Sequence, residues 1–337
     1  MNWVLRGIIL TLVTSCIKQT PQLLSPQPQP LTGNASSVWI SSEGNFGYSN
    51  ADISVYNPAT GQVTNEWFKA VNGKGPGDVI QSIYEYNGRM VVIVNNSGKV
   101  IEIDQQGRQI AEKNGFASPR YMHYVNAQTA YLSDFKSQYI SIIDPVSFEK
   151  KAQISCPGWT EGFIPLYSEV WACNPFKDYV YCISEQHTIT DSIKVAKSIF
   201  SGVKDAKDRV WLMSAPYNDS GVLYALDVQS RQIVRKLDLK GKALSQLVLN
   251  ERKDTLFFIQ QDLWYLALNQ PNALPAPYIT LNAMNPYGFG KDPRSGRFYI
   301  SDVKDYTSRS EIFVYNAKGQ PLTSFNAGVN ASGFYFK

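Results

Sequence analysis

Histidine is almost missing from this chain: His123 and His187 are the only two in 337 residues, and they stand far apart. Catalysis by a Ser–His or Cys–His pair therefore has little to draw on. No nucleophile elbow, HExxH stretch or phosphate-cradling glycine loop is present either. His123 sits mid-run in RYMHYV and reads as a strand residue, while His187 falls in a turn. Cysteine is scarce as well, four in all with no CxxC spacing, which disfavours a zinc or redox site. Charge is not blocked: the net +4 comes from dispersed residues of both signs, which argues against nucleic acid or an anionic membrane surface as partner. Beyond the N-terminus, no run is apolar enough to cross a membrane.

What is present begins with a leader. Residues 1–15 carry one basic side chain, Arg6, then an apolar run that closes on Val-Thr-Ser before Cys16. A short apolar segment ending in small residues is an export signal. A cysteine directly after those small residues resembles the bacterial lipobox, and this resemblance implies that Cys16 becomes the lipidated first residue of the mature chain. Residues 16–37 include QTPQLLSPQPQPLTGNASS, rich in Pro and Gln without strand pattern, and read as an extended tether. Ile17, rather than Asp, follows Cys16, which points to the outer membrane, with either leaflet open. Of the other cysteines, Cys156, Cys173 and Cys182, at most two can pair. Cys173 and Cys182 flank the NPFKD loop, Cys156 competes for the same partner, and buried free thiols are the alternative.

From residue 38 onward the chain repeats itself. The unit AYLSDFKSQYISIIDPVSFEKKAQI, from Ala130, contains short period-2 runs of Ile, Val and Tyr separated by polar turns, an antiparallel meander. Its central strand and turn recur as ISVYNPATGQV from Ile53, VIEIDQQGRQI from Val100, YVYCISEQHTI from Tyr179, LYALDVQSRQI from Leu223, LWYLALNQPNA from Leu263 and IFVYNAKGQPL from Ile312. The turn residues Asn57, Asp104, Asp144, Ser184, Asp227, Leu268 and Asn316 stand 40 to 48 apart. Four short strands per period of that length mark a β-propeller blade. The expectation is an all-β, seven-bladed β-propeller over residues 38–337. The first blade lacks an innermost strand before Val38, and ASGFYFK at the C-terminus supplies it. In that first blade the remaining strands run from Val38 to Phe68.

Strand order decides which loops share an end of the ring. The loops between the second and third strands of each blade lie at one end, with the segments leading into each innermost strand. Aromatics recur in these loops: Phe46, Tyr48, Phe135, Phe176, Tyr217 and Tyr306, joined by Trp159 and Tyr287 from the lead-in segments. Gln81, Arg120, Glu161 and Gln246 stand beside them at the starts of innermost strands. An aromatic rim with a few polar anchors suits a small-molecule or glycan ligand. These twelve residues are the expected ligand contacts; packing between blades is the competing role for any one of them. No catalytic or metal site is expected, although Glu43, Asp134, Glu161 and Asp302 could converge as carboxylates.

The strand–turn units, each preceded by a stretch such as VWISSEG or AYLSDF, resemble the YncE-like seven-bladed propellers. VWISSEGNFGYSNADISVYNPATGQV, behind a lipobox and a polar tether, is similar to the vitamin B12-binding surface lipoproteins of Bacteroidetes. Sialidase Asp-boxes and the tryptophan-docking repeats of quinoprotein dehydrogenases are missing. The resemblance implies a non-enzymatic lipoprotein, without cofactor, that captures a scarce nutrient such as a corrinoid over the propeller mouth and hands it to a TonB-dependent outer-membrane receptor. Two rival readings remain: a propeller-type lactonase or hydrolase using channel carboxylates, and a scaffold that binds protein or cell-wall polymer.

Overall fold

A computed structural model describes residues 36–337. The expected leader, Cys16 and all of the tether except Ser36 and Ser37 lie outside the described residues. The rest forms seven four-stranded antiparallel sheets in a ring, a seven-bladed β-propeller. Each blade after the first takes four consecutive strands, numbered β4 to β27 in chain order. In the first, β1 (Val38–Ser42), β2 (Asp52–Tyr56) and β3 (Val63–Thr64) are completed by β28 (Ala331–Phe336), which pairs with β1 from Val38↔Phe336 to Ser42↔Ala331. The C-terminal strand thus closes the ring, as the sequence implied. Ser36 N–H donates to Lys337 O at 2.8 Å and Lys337 N–H to Ser37 O at 3.0 Å, fastening the seam.

The repeat has a physical cause at each turn. Asp144 Oδ1 accepts the backbone N–H groups of Val146 and Ser147 at 2.9 and 3.0 Å. Asn57, Asp104, Asp227 and Asn316 do the same for N–H groups two or three residues on. A short side chain that caps its own turn is why Asn or Asp recurs with the blade period. In the second strand of every blade one position is filled by a buried, mostly large residue: Trp39, Val91, Tyr131, Trp171, Trp211, Phe257 and Tyr299. These side chains feed seven hydrophobic clusters, one between each pair of neighbouring blades. The core is therefore a ring of seven wedges, and the axis is left free of core packing.

The first blade departs from expectation. Its outermost strand is only two residues long, and residues up to Phe68 do not continue it. A helix, α1 (Trp67–Asn72), follows instead. Phe68 is wholly buried and Trp67 packs edge-on against Trp39 with ring centroids 4.7 Å apart. Two bulky apolar residues in a row cannot both face inward from a strand. A helical turn buries Phe68 and packs Trp67 in the groove between the first and second blades. Among the described residues no helix is long and apolar enough to cross a membrane.

Candidate functional site

The innermost strands are irregular where they begin, and the irregularity builds the site. β4 (Ile80–Tyr86), β8 (Pro119–Asn126), β16 (Ile199–Lys204), β24 (Pro286–Lys291) and β28 each shift register against the neighbouring strand near their first residues. In β4, Ile80 pairs with Val94 and Ser82 with Ile93, leaving Gln81 as the extra residue. In β8, Pro119 pairs with Asp134 and Met122 with Leu132, so Arg120 and Tyr121 share the bulge. Ser201, Tyr287 and Ser332 occupy the corresponding shifts in the other three. A bulge breaks the in–out alternation and re-aims a side chain. In the fourth and sixth blades the inner strands start late, at Phe163 and Leu247, so Glu161 and Gln246 precede them. Each blade thereby contributes one irregular position to the same end of the ring: Gln81, Arg120, Glu161, Ser201, Gln246, Tyr287 and Ser332.

These residues form a bonded layer. Arg120 Nε donates to Glu161 Oε1 at 2.8 Å, and its Nη1 donates to Gln81 Oε1. Trp159 Nε1 donates to the same Glu161 oxygen at 2.6 Å, and Gln81 Nε2 donates to the Tyr121 hydroxyl at 3.0 Å. Tyr287 OH donates to both oxygens of Glu43 at 3.1 and 3.2 Å, and Gln246 Nε2 donates to Ser332 O at 3.2 Å. Phe135 packs edge-on against Trp159 at 4.2 Å, and the Arg120 guanidinium stands 5.9 Å from the Phe135 ring centre. Tyr287 meets Tyr306 at 6.2 Å.

Charge in this layer is unbalanced. Burial raises the carboxyl of Glu161, against the charge and hydrogen bond of Arg120 and the bond from Trp159. Burial also raises Glu43, opposed by the Tyr287 hydrogen bond and by the Arg120 charge. One guanidinium thus faces two carboxyls. Asp134 and Asp302, named above as possible partners, do other work. Asp134 accepts from the backbone N–H groups of Ser118, Lys136 and Ser137, and Asp302 from those of Met284, Asn285 and Lys304. They are loop caps, and only Glu43 and Glu161 join Arg120. Among the described residues no group of three or more His, Cys, Asp and Glu is placed to hold a metal ion.

Around the layer stands a crown of exposed rings. Phe46, Tyr48, Phe135, Phe176, Tyr217 and Tyr306 are exposed, Tyr217 by 86%. The loop of residues 43–51 is tied on both flanks: Asn45 Nδ2 donates to Tyr306 O at 2.8 Å, and Gly47 N–H donates to Asp78 Oδ2 at 2.8 Å. Lys242 stands 4.9 Å over the Tyr217 ring and Lys177 5.7 Å over that of Phe176. Phe176 and Tyr217 stand on the outer rim, each with a lysine over its ring. Sequence reasoning did not name as contacts Tyr121, Phe200, whose ring lies 6.2 Å from that of Trp159, or Ser332; each is displaced by a bulge that strand alternation does not announce. His123 is a half-buried residue of β8, 6.4 Å from the Tyr131 ring and 6.2 Å from Phe163, and burial lowers it to about 4. His187 shares a 2.6 Å hydrogen bond with the Tyr131 hydroxyl. Neither histidine reaches the mouth layer.

The three described cysteines are free and buried. Cys173 pairs with Val180 and Cys182 with Trp171 across adjacent strands, so the two thiols are diagonal neighbours. Diagonal separations of about 7–8 Å exceed the roughly 4.4–6.8 Å between Cα atoms that a disulfide bridges. Burial pushes Cys156 and Cys182 up to about 12.

These features define a seven-bladed β-propeller with a polar, aromatic-rimmed mouth. No protein-family model matches the sequence, and no curated protein matches it. Solved structures share the fold at low identity. A quinoprotein alcohol dehydrogenase-like protein from Bacteroides thetaiotaomicron aligns over 90% of this chain and 78% of its own at 14% identity, with a TM-score of 0.69. Hydrazine synthase of Kuenenia stuttgartiensis aligns over 75% and 88% at 10% identity, TM-score 0.65. The computationally designed Ika8 protein aligns over 91% and 92% at 10% identity, TM-score 0.59.

Proposed function

We propose that this chain is a non-enzymatic capture protein of the cell envelope. In this reading it is anchored through Cys16, holds a small nutrient at the mouth, with a cobalamin-like corrinoid the favoured ligand, and passes it to a TonB-dependent outer-membrane receptor. The observation that carries the reading is the crown of exposed rings around a pre-bonded polar layer. Exposed aromatics supply wide apolar contact at small entropic cost, and groups already held in place lose little freedom when a ligand arrives. The leader, the lipobox resemblance and the tether support the envelope location.

Calorimetric titration of residues 36–337 with cyanocobalamin, haemin and a ferric siderophore tests it. One saturable heat is expected, weakened at least roughly tenfold in a variant carrying F135S, Y217S and Y306S, since each lost ring is worth about 0.5–1.5 kcal/mol beyond its area. No heat with any of the three overturns the reading. The hydrolase alternative draws on one observation, the raised carboxyl of Glu43 beside Arg120. Lactone turnover by the wild type that is lost in Glu43→Gln would select it.

A further inference from the structure

Below the mouth layer the axis opens into a cavity of about 300 Å³. Its upper wall carries Gln81, Tyr121, Ser201 and Gln246, the inward products of the bulges and late strand starts. Its remaining wall includes the rings of Tyr84, Phe289 and Phe334. Among the described residues, no charged side chain lines it. The Gln81 amide joins the cavity to Arg120 above through Arg120 Nη1, so the charged layer roofs a neutral room.

That lining selects a ligand chemistry. An ion entering a space walled by neutral groups would give up hydration for weaker contacts, so the lining favours an uncharged ligand. The polar wall mixes donors and acceptors at close spacing: Ser201 Oγ donates to Ser245 O at 3.1 Å and keeps its lone pairs, while Tyr121 OH accepts from Gln81. Among the described residues, Gln246 Oε1 is buried and has no hydrogen-bond partner. A buried acceptor left unmatched costs about 1–3 kcal/mol, so this one calls for a donor. A hydroxyl group both donates and accepts, and the C–H face of a saturated ring packs on aromatic walls. The volume equals roughly ten waters at about 30 Å³ each and stands at the lower end of ligand pockets, about 300–1,000 Å³. It admits one ring and not a chain of them.

We infer that the axial cavity is a second site, separate from the aromatic crown, for a single neutral polyhydroxylated ring, a monosaccharide or cyclitol. The inference does not rest on the capture of a nutrient at the rim, and the two are told apart by their variants. The test is ligand-observed saturation-transfer NMR and calorimetry on residues 36–337 with D-glucose, D-galactose, D-mannose and myo-inositol. At least one is expected to bind saturably. Gln246→Leu should weaken it by roughly tenfold, the loss of one buried hydrogen bond. Ser201→Phe, which fills the cavity, should abolish it. The rim variant F135S/Y217S/Y306S should leave it unchanged. Circular dichroism confirms that each variant keeps its fold. Absence of saturable binding by all four compounds overturns the inference, since the cavity then holds water alone. Undiminished binding in folded Ser201→Phe overturns it too, because the site then lies elsewhere.

Discussion

Arg120 is the residue on which the mouth turns. It bonds to Glu161, which is wholly buried, and to Gln81, and its plane lies near the rings of Phe135 and Tyr121. Removing one partner of such a pair strands the other's charge away from water, at a cost of about 3–5 kcal/mol, whereas replacing both with apolar groups is often near neutral. Arg120→Met should therefore destabilise the protein by roughly that amount, and Arg120→Met/Glu161→Met should recover most of it, read by urea denaturation. A single variant no less stable than the double would show that the pair is not an ionised, buried bridge. The sequence made Arg120 and Glu161 legible as inner-strand starts, because they fall one and two blade periods after Gln81. It left open which of the four carboxylates would meet the arginine. That choice depends on loop closure: Asp134 and Asp302 accept from backbone N–H groups of their own loops, whereas Glu161 accepts from Arg120 and Trp159 and Glu43 from Tyr287.

At the scale of the element, the blade signature could be read because it is local. An Asn or Asp that caps its own turn leaves its mark within three residues. The bulges could not, since a shift such as that between Ile80 and Ser82 is a relation between two strands. The helix α1 was hidden for the same reason: Trp67 turns away from strand geometry to meet Trp39 and the turn of the second blade. That turn makes room for it at Gly107, whose φ is +83° and where a Cβ would stand 2.5 Å from the Trp67 ring. Gly107→Ala should cost about 1–2 kcal/mol for the left-handed backbone and about 1–3 for the clash with a rigid ring. A shift in unfolding free energy below about 0.5 kcal/mol, the range of ordinary surface changes, would mean that α1 does not seat there.

The molecule as a whole is stabilised pairwise, blade against blade, by seven apolar wedges, and the closed ring leaves only short edges at the rims of its blades. Removing residues 331–337 takes away β28, exposes an edge of β1 and unseats Ala331 from the wedge between the last and first blades. The shortened chain should lose cooperative unfolding altogether, seen as a broad, non-sigmoidal denaturation curve and bound ANS dye. A sharp transition within a few degrees of the full chain would show that six blades and a fragment suffice.

The seam also sets a schedule. Val38 to Ser42 is made six blades ahead of Ala331 to Phe336, the inner strand it pairs with. Until that later segment arrives, the opening sheet has no floor and the circle stays ajar, so the propeller cannot close before its seventh blade has been made.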